Sequence, residues 1–560
     1  MLSAALAVVA HAAWPPDPLI NVPMCTTAWS SQVTAAVPDG RGGAIVVWYE
    51  DRNGDFDVFA RRVNSVGTML WSTDGVKVCQ APAGTSQLLP KAVSDGAGGI
   101  IVAWVDDRTG SNTLWAQRVD SLGTCLWATA GVLVAQNSTA LVTSFSMVAD
   151  GAGGAVITWA TLVSGLSSDI YSQRLNASGA AQWGVRGAST CLDAFNQYRP
   201  QVIRRGSGTF VVVWEDVRRT FRTDLYGQSY TTTGTAQWTR DGLALVTSAD
   251  NAFNPMPVAT ATGDFHVFWD ADSLGVGQVR GQRYNTNGAP LWAPFGLEMF
   301  MPGYTGLAAV ASDDSSGAYL VMNCPDTVSN TLTVRAQRVR PDGLRLFTAR
   351  GKRLCAAASN QLQAVAATDG VGGLLVAWFD DQRQIGVITD VFAQRVSRLG
   401  VMQWAKGGLP VSRAPNAGAG LAIAPALTNG AILAWSDTRT SPSPDVYVQG
   451  VDEQGRLGSG LGVEPPVAPV AIALAPPSPN PVPAGRVRLA FTLSQAEDVT
   501  LNVVDPSGRM VSRLDRGVRG PGTHVVTWDG RVEGRRVPPG IYLVQLVTAS
   551  RRETRRLVLL

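Results

Sequence analysis

Acidic residues beside an arginine recur along the chain, each time directly after an apolar run. Two carboxylates set close together are what a glycosidase uses for acid, base or nucleophilic chemistry. An active site needs only one such pair of carboxylates, whereas a structural interaction recurs in every repeat. We therefore interpret these acids as partners of the arginines in stabilising turns. The copies are Glu50-Asp51-Arg52, Asp106-Asp107-Arg108, Glu215-Asp216-Val217-Arg218, Asp380-Asp381-Gln382-Arg383 and Ser436-Asp437-Thr438-Arg439.

One of these turns also has the spacing of a calcium-binding loop. Oxygen-bearing side chains alternate at Asp51, Asn53, Asp55 and Asp57. Gly54, however, is not where an EF-hand places its glycine. The pattern is equally typical of a solvated turn, which we favour, and calcium binding stays open.

Histidine is scarce and scattered, since the chain has only His11, His266 and His524. A Ser-His-Asp triad or a His-rich metal site needs His close to its partners. We interpret His266 as an ordinary strand residue. The sequence assigns no catalytic, cofactor-binding or metal-binding residue, and we expect no cofactor.

The six cysteines would allow disulfides in an exported protein. Four of them hold one repeat position in different repeats: Cys25, Cys79, Cys191 and Cys355. Such positions lie too far apart in non-adjacent repeats, because a disulfide needs Cα atoms within about 7 Å. We expect buried thiols, leave the Cys25–Cys79 pair open, and find no apparent partner for Cys125 or Cys324.

The elements that carry these residues are internal repeats. A residue that ends an apolar run recurs every 53 to 57 positions, at Trp48, Trp104, Trp159, Trp214, Trp269, Met322, Trp378 and Trp435. The first seven copies are followed by a glycine four residues before an aromatic residue, as in Gly123 and Trp127. A Gln-Arg pair, as in Gln117-Arg118, is the third marker. Markers in a fixed order identify a repeat architecture.

Each repeat holds four short strand candidates, which in the second copy are 88–93, 100–105, 113–119 and 132–135. Four strands per repeat is typical of a propeller blade. Eight copies therefore predict an eight-bladed β-propeller over residues 14–460, similar to no specific family. A β-solenoid is the alternative, although its repeats are usually shorter.

The N-terminal strand is predicted to close the ring. The eighth repeat lacks a final Gly-x-x-x-Trp strand, whereas residues 19–25 precede Ser31-Gln32-Val33 as residues 75–79 precede Ser86-Gln87-Leu88. We infer that residues 19–25 complete the last blade, which would remove the exposed edges of an open array.

Composition agrees with an all-β, exported protein. The 59 Gly, 32 Pro and 17 Trp, without a long apolar helical period, favour short strands joined by turns. The apolar run at 2–10, ending in Ala10-His11-Ala12, predicts a signal peptide over residues 1–13. No later segment has transmembrane length, so we expect a secreted or cell-surface protein. A net charge of +3 without a concentrated basic face argues against nucleic-acid binding.

A different pattern begins after a Pro-rich linker at 461–478. Alternating apolar residues predict strands near 487–493, 499–503, 510–514, 524–528, 541–547 and 555–560. They indicate a small immunoglobulin-like β-sandwich at 479–560. This segment has 13 Arg, no Lys and 7 acidic residues, a net charge of +6.

Several motifs of this segment occur in the order of a known bacterial domain. They are Pro479-Asn480-Pro481 and the stretches 503–511, 522–531 and 539–544. They resemble the immunoglobulin-like domain of the flagellar hook-capping protein, and are similar to the C-terminal sorting domain of the type nine (Por) secretion system. The resemblance covers about the last 80 residues. It implies export followed by surface attachment or release, with contact to the secretion machinery.

Two functions are compatible with this organisation. We favour an exported, non-catalytic propeller that binds a protein, glycan or surface polymer, with the C-terminal sandwich serving export or attachment. The alternative is a secreted polysaccharide hydrolase or lyase that uses rim carboxylates such as Asp270, Asp272 or Asp380. An enzyme should interrupt the repeat on one rim, and the interruptions at 162–168 and 272–276 are modest. Function is expected where copies differ, first at Met322-Asn323.

Overall fold

Two compact units, Met1–Val463 and Glu464–Leu560, make up the chain in the computed structural model. The residues described are 14–27, 29–52, 54–135, 141–163, 167–206, 208–219, 222–248, 250–273, 276–300, 306–326, 329–384, 388–414, 417–440, 442–461, 473–475, 477–478, 480–482, 486–493, 497–520, 522–548 and 552–560. The predicted signal peptide at 1–13, Asn53 and most of the predicted linker lie outside these ranges.

Strands and turns account for the described residues, which contain no helix. The prediction of an all-β chain is therefore confirmed. No described segment forms a helix that could span a lipid bilayer.

The strands of the first unit are β1 (Val22–Cys25), β2 (Ser31–Pro38), β3 (Ala44–Glu50), β4 (Asp57–Val63), β5 (Met69–Leu70), β6 (Val76–Lys77), β7 (Gln87–Ser94), β8 (Ile100–Asp106), β9 (Thr113–Val119), β10 (Val132–Leu133), β11 (Leu141–Ala149), β12 (Ala155–Val163), β13 (Ser167–Leu175), β14 (Ala188–Cys191), β15 (Gln197–Arg204), β16 (Phe210–Asp216), β17 (Asp224–Tyr230), β18 (Leu243–Val246), β19 (Asn251–Ala259), β20 (Phe265–Ser273), β21 (Val276–Tyr284), β22 (Leu297–Glu298), β23 (Gly306–Ser312), β24 (Ala318–Asp326), β25 (Thr331–Val339), β26 (Lys352–Arg353), β27 (Gln361–Thr368), β28 (Leu374–Gln384), β29 (Ile388–Val396), β30 (Leu409–Ser412), β31 (Ala417–Pro425), β32 (Ala431–Asp437) and β33 (Asp445–Val451).

These strands form eight antiparallel sheets within the described residues, one for each repeat. Sheets 1 to 7 comprise β2–β6, β7–β10, β11–β14, β15–β18, β19–β22, β23–β26 and β27–β30, and sheet 8 has the order β1-β33-β32-β31. The first strands of consecutive sheets contact one another, and β2 of sheet 1 also contacts β31 of sheet 8. Repeated sheets joined through their first strands are a propeller-like arrangement.

Side chains of the second strand of each sheet pack into the hydrophobic cores on both faces of that sheet. In β8, Ile100, Val102 and Trp104 pack with residues of sheet 1, whereas Ile101 and Ala103 pack with residues of sheet 3. Successive side chains of a strand point to opposite faces, so a strand covered on both sides is apolar at every position. This explains why the apolar runs in the sequence are continuous rather than alternating.

Buried ion pairs join one sheet to the next. Asp95 Oδ1 accepts hydrogen bonds from the backbone N–H groups of Ala97 and Gly99, and its Oδ2 accepts from Arg118 at 2.9 Å. The same guanidinium donates to the carbonyl of Ala177 in sheet 3 at 3.2 Å. Equivalent acid–arginine pairs are Asp39–Arg62, Asp150–Arg174, Asp264–Arg283, Asp313–Arg338 and Asp369–Arg395. The Asp-Gly turn and the Gln-Arg marker therefore belong to the same hydrogen-bonded connection between neighbouring sheets.

Outer aromatic residues make the second connection between sheets. Trp71 stacks on Gly123 of the next sheet, where a Cβ atom would lie 2.9 Å from the Trp71 ring. The Trp71 indole donates to the carbonyl of Ser121 at 3.1 Å. A side chain larger than hydrogen at Gly123 would therefore displace the indole.

Trp14 makes the equivalent contact for sheet 8, because the eighth repeat has no Gly-x-x-x-Trp tryptophan of its own. It stacks on Gly67 of sheet 1, donates to the Ser65 carbonyl at 3.0 Å and is 1% exposed. Eight residues later the chain enters sheet 8, where Val22 of β1 pairs with Val448 of β33. The β1 segment was predicted from the sequence, but the contact made by Trp14 was not.

The second unit contains β34 (Ala473–Leu474), β35 (Val487–Leu493), β36 (Glu497–Val504), β37 (Met510–Arg519), β38 (Gly522–Trp528), β39 (Arg531–Val532), β40 (Arg535–Arg536), β41 (Gly540–Val547) and β42 (Arg552–Leu559). A three-stranded sheet, β34-β35-β38, and a four-stranded sheet, β37-β36-β41-β42, enclose one core, and β39 pairs with β40. Leu489, Leu501 and Val544 are fully buried in that core. Alternation of buried and exposed residues explains the period-two pattern of this segment.

Replacing Trp14 with alanine should lower the free energy of unfolding by about 3–5 kcal/mol, the usual cost of removing a buried aromatic side chain. Trp14→Ala is compared with Trp29→Ala, because Trp29 is 41% exposed. Equilibrium urea denaturation followed by circular dichroism measures both. Equal midpoints for the two variants would contradict the role given to Trp14.

Candidate functional site

The carboxylate at the end of β8 belongs to a buried hydrogen-bond network. Asp106 accepts from the Trp104 indole at 2.9 Å and from Arg108 Nε at 2.8 Å, and it is 0% exposed. Arg108 also donates to the carbonyl of Ala130 and lies over the Trp115 ring, 4.0 Å from its centroid. Charge-assisted hydrogen bonds of this kind offset the cost of burying a carboxylate.

Three other sheets repeat this network with small changes. In each, the guanidinium lies about 4 Å from the centroid of an aromatic ring on the next strand. The groups are Trp48-Glu50-Arg52 with Phe59, Trp214-Asp216-Arg218 with Tyr226, and Trp435-Asp437-Arg439 with Tyr447. These acids are therefore held inside the scaffold.

The cysteines join the same networks as thiols. All six are free, so Cys25 and Cys79 are not linked to each other. Cys79 Sγ accepts from Arg108 at 2.9 Å, and Cys25 Sγ donates to Glu50 at 3.4 Å. Burial raises the pKa of Cys25 to about 12 and that of Cys79 to about 11. Such thiols are protonated at neutral pH and unreactive.

His266 is a packing residue in the structure. Its ring is 0% exposed and lies 5.2 Å from the Trp292 ring and 5.8 Å from the Phe268 ring, measured between centroids. Nε2 donates to the carbonyl of Ser316 at 2.9 Å, which identifies the neutral tautomer. Burial lowers the pKa of His266 to about 4. His524 stacks on Phe491 in the second unit, and His11 lies outside the described residues.

The acids of the calcium-like turn have separate partners. Asp51 accepts from the backbone N–H of Ser30, and Asp55 accepts from that of Gly84. Asp57 Oδ2 lies 2.6 Å from Lys77 Nζ. Asn53 lies outside the described residues, and the described part of the chain has no cluster of three or more His, Cys, Asp or Glu residues placed to hold a metal ion.

The acids proposed for an enzyme lie in two different sheets. Asp380 belongs to sheet 7, where it accepts from the Trp378 indole and the Ser359 hydroxyl. Asp270 and Asp272 belong to β20 in sheet 5, where Asp272 pairs in register with Gly277. Asp270 Oδ1 accepts from the Leu307 N–H at 2.9 Å, so it is bonded to the next sheet.

The network of tryptophan, acid and arginine is lost in sheets 3, 5 and 6, and a different polar chain joins sheets 5 and 6 to sheet 4. Thr161, Ala271 and Cys324 stand where the other sheets have the acid that bonds the indole. Asp270 Oδ2 instead accepts from Asn254 Nδ2 at 2.8 Å, and the Asn254 N–H donates to Glu215 Oε1 at 2.7 Å. Sheets 4, 5 and 6 are thus joined by a line of polar residues.

β-Bulges interrupt the first strands of several sheets and expose side chains there to solvent. Leu89, Arg199, Asn254 and Gln363 have φ between 45° and 53°, in the left-handed region that non-glycine residues avoid. Each lies at a register shift between the first and second strands of its sheet. Leu89, Arg199 and Gln363 are exposed. Strain of this kind is often retained at binding sites.

A cavity of about 340 Å³ lies at the bulges of sheets 6 and 7. It is lined by Gly306, Leu307, Ala308, Asn323, Gln363 and Ala364, and we call it the bulge cavity. Asn323 Nδ2 donates to the carbonyl of Gln361 at 2.9 Å, while Met322 is buried in the core position that tryptophan occupies elsewhere. The position at which the repeat deviates in sequence therefore borders a cavity.

A second cavity, of about 350 Å³, lies at the other ends of the first strands of sheets 1, 7 and 8. Its lining includes the turn residues Gly40, Gly370 and Asn429, together with the exposed side chains of Val371 and Leu427. These turns recur in most sheets, so this lining is less distinctive than that of the bulge cavity.

Comparison with known proteins identifies the C-terminal unit. Residues 483–552 match the family model of the FlgD Ig-like domain. This confirms the resemblance to the immunoglobulin-like domain of the flagellar hook-capping protein. No curated protein matches the chain.

Several solved structures are similar to part of this chain at low identity. Polysaccharide lyase Uly1 is 10% identical with a TM-score of 0.42, over 68% of this chain and 100% of that chain. The β-propeller domain of the Trilobed protease from Pyrococcus furiosus is 9% identical with a TM-score of 0.38, over 65% and 95%. Penicillium chrysogenum alpha-L-arabinanase, complexed with arabinobiose, is 14% identical with a TM-score of 0.33, over 56% and 94%. Similarity at this level carries no argument about activity or ligand.

Sheet 4 contains two buried acids that differ in their partners. Asp216 is bonded to Arg218 and to the Trp214 indole, whereas the register partner of Asp216 is Asp224. Neither oxygen of Asp224 accepts a hydrogen bond from the described residues, and its ion pair with Arg219 spans 3.3 Å. Burial raises the pKa of Asp224, and the nearby Asp216 adds to the effect, although Arg219 opposes it.

Asp224→Asn should therefore raise the free energy of unfolding at pH 7 by about 1–3 kcal/mol, because it removes a buried charge without hydrogen bonds. Because the pKa of Asp224 is higher in the folded than in the unfolded protein, its protonated form favours folding. This contribution to the free energy of unfolding of the wild type is fully present below the pKa of the unfolded state and is lost as pH rises through the pKa of the folded state. The gain should consequently disappear near pH 3. Asp216→Asn is the control and should cost about 3–5 kcal/mol, because it removes the buried carboxylate that pairs most closely with Arg218, at 2.6 Å. Urea denaturation as a function of pH measures both, and a destabilised Asp224→Asn would contradict this prediction.

Proposed function

We propose that the protein is an exported, non-catalytic binding protein. Residues 14–460 form an eight-bladed β-propeller closed by the N-terminal strand, and residues 479–560 form an immunoglobulin-like sandwich, with a linker at 461–478 between them. The sandwich serves export or surface attachment.

The contacts between sheets 8 and 1 support ring closure. β1 pairs with β33, β2 contacts β31, and Trp14 stacks on Gly67 as Trp71 stacks on Gly123. An eighth repeat completed in this way has a neighbouring sheet on each side, as the other seven have, and the array of sheets has no open end.

The bulge cavity is the observation that carries the binding proposal. It occurs in sheet 6, where Met322 stands in place of the tryptophan and Cys324 in place of the acid that bonds the indole. Its lining contains two amide side chains among apolar residues. Amides both donate and accept hydrogen bonds, as hydroxyl groups do. We infer that the ligand is rich in hydroxyl groups, as a glycan or surface polymer is.

The hydrogen bonds of the acids support a non-catalytic role. Both oxygens of Asp270 accept hydrogen bonds, from Leu307 and Asn254, and both oxygens of Asp380 are also bonded. A general acid or nucleophile needs an oxygen that can reach the substrate. A hydrolase or lyase acting through Asp270, beside the cavity, is the alternative that the experiment below tests.

The family match supports the role of the C-terminal unit. The FlgD Ig-like model covers residues 483–552, which include most of the sandwich. The motif resemblance to a sorting domain is the ground for proposing export and attachment.

Gln363→Trp should weaken glycan binding at least 10-fold, because the indole would fill the bulge cavity. Leu89→Trp is the matched control, since Leu89 holds the same bulge position in sheet 2 with a similar φ. Both side chains are exposed, so neither variant should change the urea midpoint. A glycan array with the full chain identifies the ligand, and titration of that ligand measures the loss.

The same polymers are incubated with wild-type protein and with Asp270→Asn, and the products are analysed by chromatography. We expect no products from either protein. Products that form with the wild type and disappear with Asp270→Asn would overturn the non-catalytic proposal in favour of the hydrolase or lyase. Equal binding by Gln363→Trp and Leu89→Trp would overturn the assignment of the bulge cavity.

A further inference from the structure

The outer face of the four-stranded sheet in the C-terminal unit concentrates arginines at its two edge strands. β37 contributes Arg513 and Arg516, and β42 contributes Arg552 and Arg556, all exposed. The opposite face of this sheet packs into the core through Val499, Leu501 and other apolar residues. We call the outward surface the arginine face.

Strand register sets polar side chains between the two pairs of arginines. One row across the sheet runs Arg513, Asn502, Gln545, Thr554, and the next runs Arg516, Thr500, Val547, Arg552. Met510, Val504, Leu543 and Arg556 form the third row. Adjacent strands lie about 4.8 Å apart, so Arg516 and Arg552 face each other across about 14 Å of backbone, while Arg513 lies in the neighbouring row and Arg556 in the row beyond that.

The arginines of this face have no ion pair with an acid among the described residues of the unit. Among the described residues, the nearby acids Asp505, Asp515 and Glu553 pair with Arg509, Arg519 and Arg555, and none pairs with an arginine of the arginine face. Asp498, opposite Val518 in register, is an exposed acid at one end of the face. The face is therefore positively charged.

The groups between the arginines distinguish the possible polyanions. Asn502 is 9% exposed, and its amide oxygen accepts no hydrogen bond from the described residues. Gln545 and Thr554 continue the row with further donors and acceptors. Arginine binds carboxylates and sulfates through its planar fork, whereas amides and hydroxyls suit sugar hydroxyl groups. Met510, Val518 and Ile541 are exposed apolar side chains of the same sheet, so the test below includes a lipid surface.

We propose that the arginine face binds an acidic polysaccharide. The carboxylate or sulfate groups pair with the arginines of both edge strands, and the sugar hydroxyls bond to the row of Asn502, Gln545 and Thr554. This inference rests on the attachment role proposed above and names the chemistry of the surface to which the unit attaches.

Binding of the full chain to polygalacturonate, neutral dextran and phosphatidylglycerol vesicles tests the proposal, at low and high salt. The variant Arg513→Gln/Arg516→Gln/Arg552→Gln removes three charges of the face. Its control, Arg531→Gln/Arg535→Gln/Arg536→Gln, removes three exposed charges from β39 and β40. We expect the first variant to bind polygalacturonate at least 10-fold more weakly and the control to stay within 2-fold of wild type. Salt should weaken the wild-type complex, because it screens exposed charges.

Equal losses in the two variants, or no loss in either, would overturn the arginine face as a site. Dextran bound as tightly as polygalacturonate, or vesicles bound more tightly, would overturn the choice of an acidic polysaccharide. Unchanged urea midpoints separate loss of binding from loss of folding. Gln363→Trp keeps the arginine face intact, so a failure of the bulge cavity and a failure of the arginine face give different results.

Discussion

Burial of charge between packed sheets is the constraint on which the rest of the first unit depends. A strand covered on both faces begins after an acid and ends in one, and neither acid reaches bulk water. Asp95 is therefore bonded to Arg118 and Asp106 to Arg108, and Arg118 extends to the backbone of the next sheet. Removing one partner of such a pair is costly, so the same residues return in most repeats. The acids that look most like catalytic groups are thus the least available for chemistry.

The repeats were predictable from sequence because a strand buried on both faces leaves a continuous apolar run ending in tryptophan. The four strands of sheet 2 differ from the predicted ones by at most a few residues, and the resemblance of the C-terminal segment is confirmed by its family match. The bulges were not predicted, because a single extra residue does not change the repeat length enough to be seen. Pro90, Pro200 and Pro255, each following a left-handed residue, were the available signal. Trp14 was missed because it is separated in sequence from the repeat that it completes.

The candidate binding site could be predicted from the sequence only as a place where the repeat pattern is interrupted. Met322-Asn323 marks a repeat without its tryptophan, yet the cavity beside Asn323 also needs the bulges at Ala308 and Gln363 from two sheets. Such a meeting of distant backbone irregularities has no local signature in the sequence. The arginine face differs, since the excess of arginine was visible in composition and only the register shows that it divides between two edge strands.

Hydrogen–deuterium exchange of the full chain, with and without the glycan that binds most tightly on the array, tests the central claim most directly. Because function is assigned to the place where the repeat breaks, added protection should be confined in the first unit to Leu307, Ala308, Asn323 and Gln363. Protection spread equally over the bulges of all sheets, or centred on the turns at Gly40 and Gly370, would contradict the account.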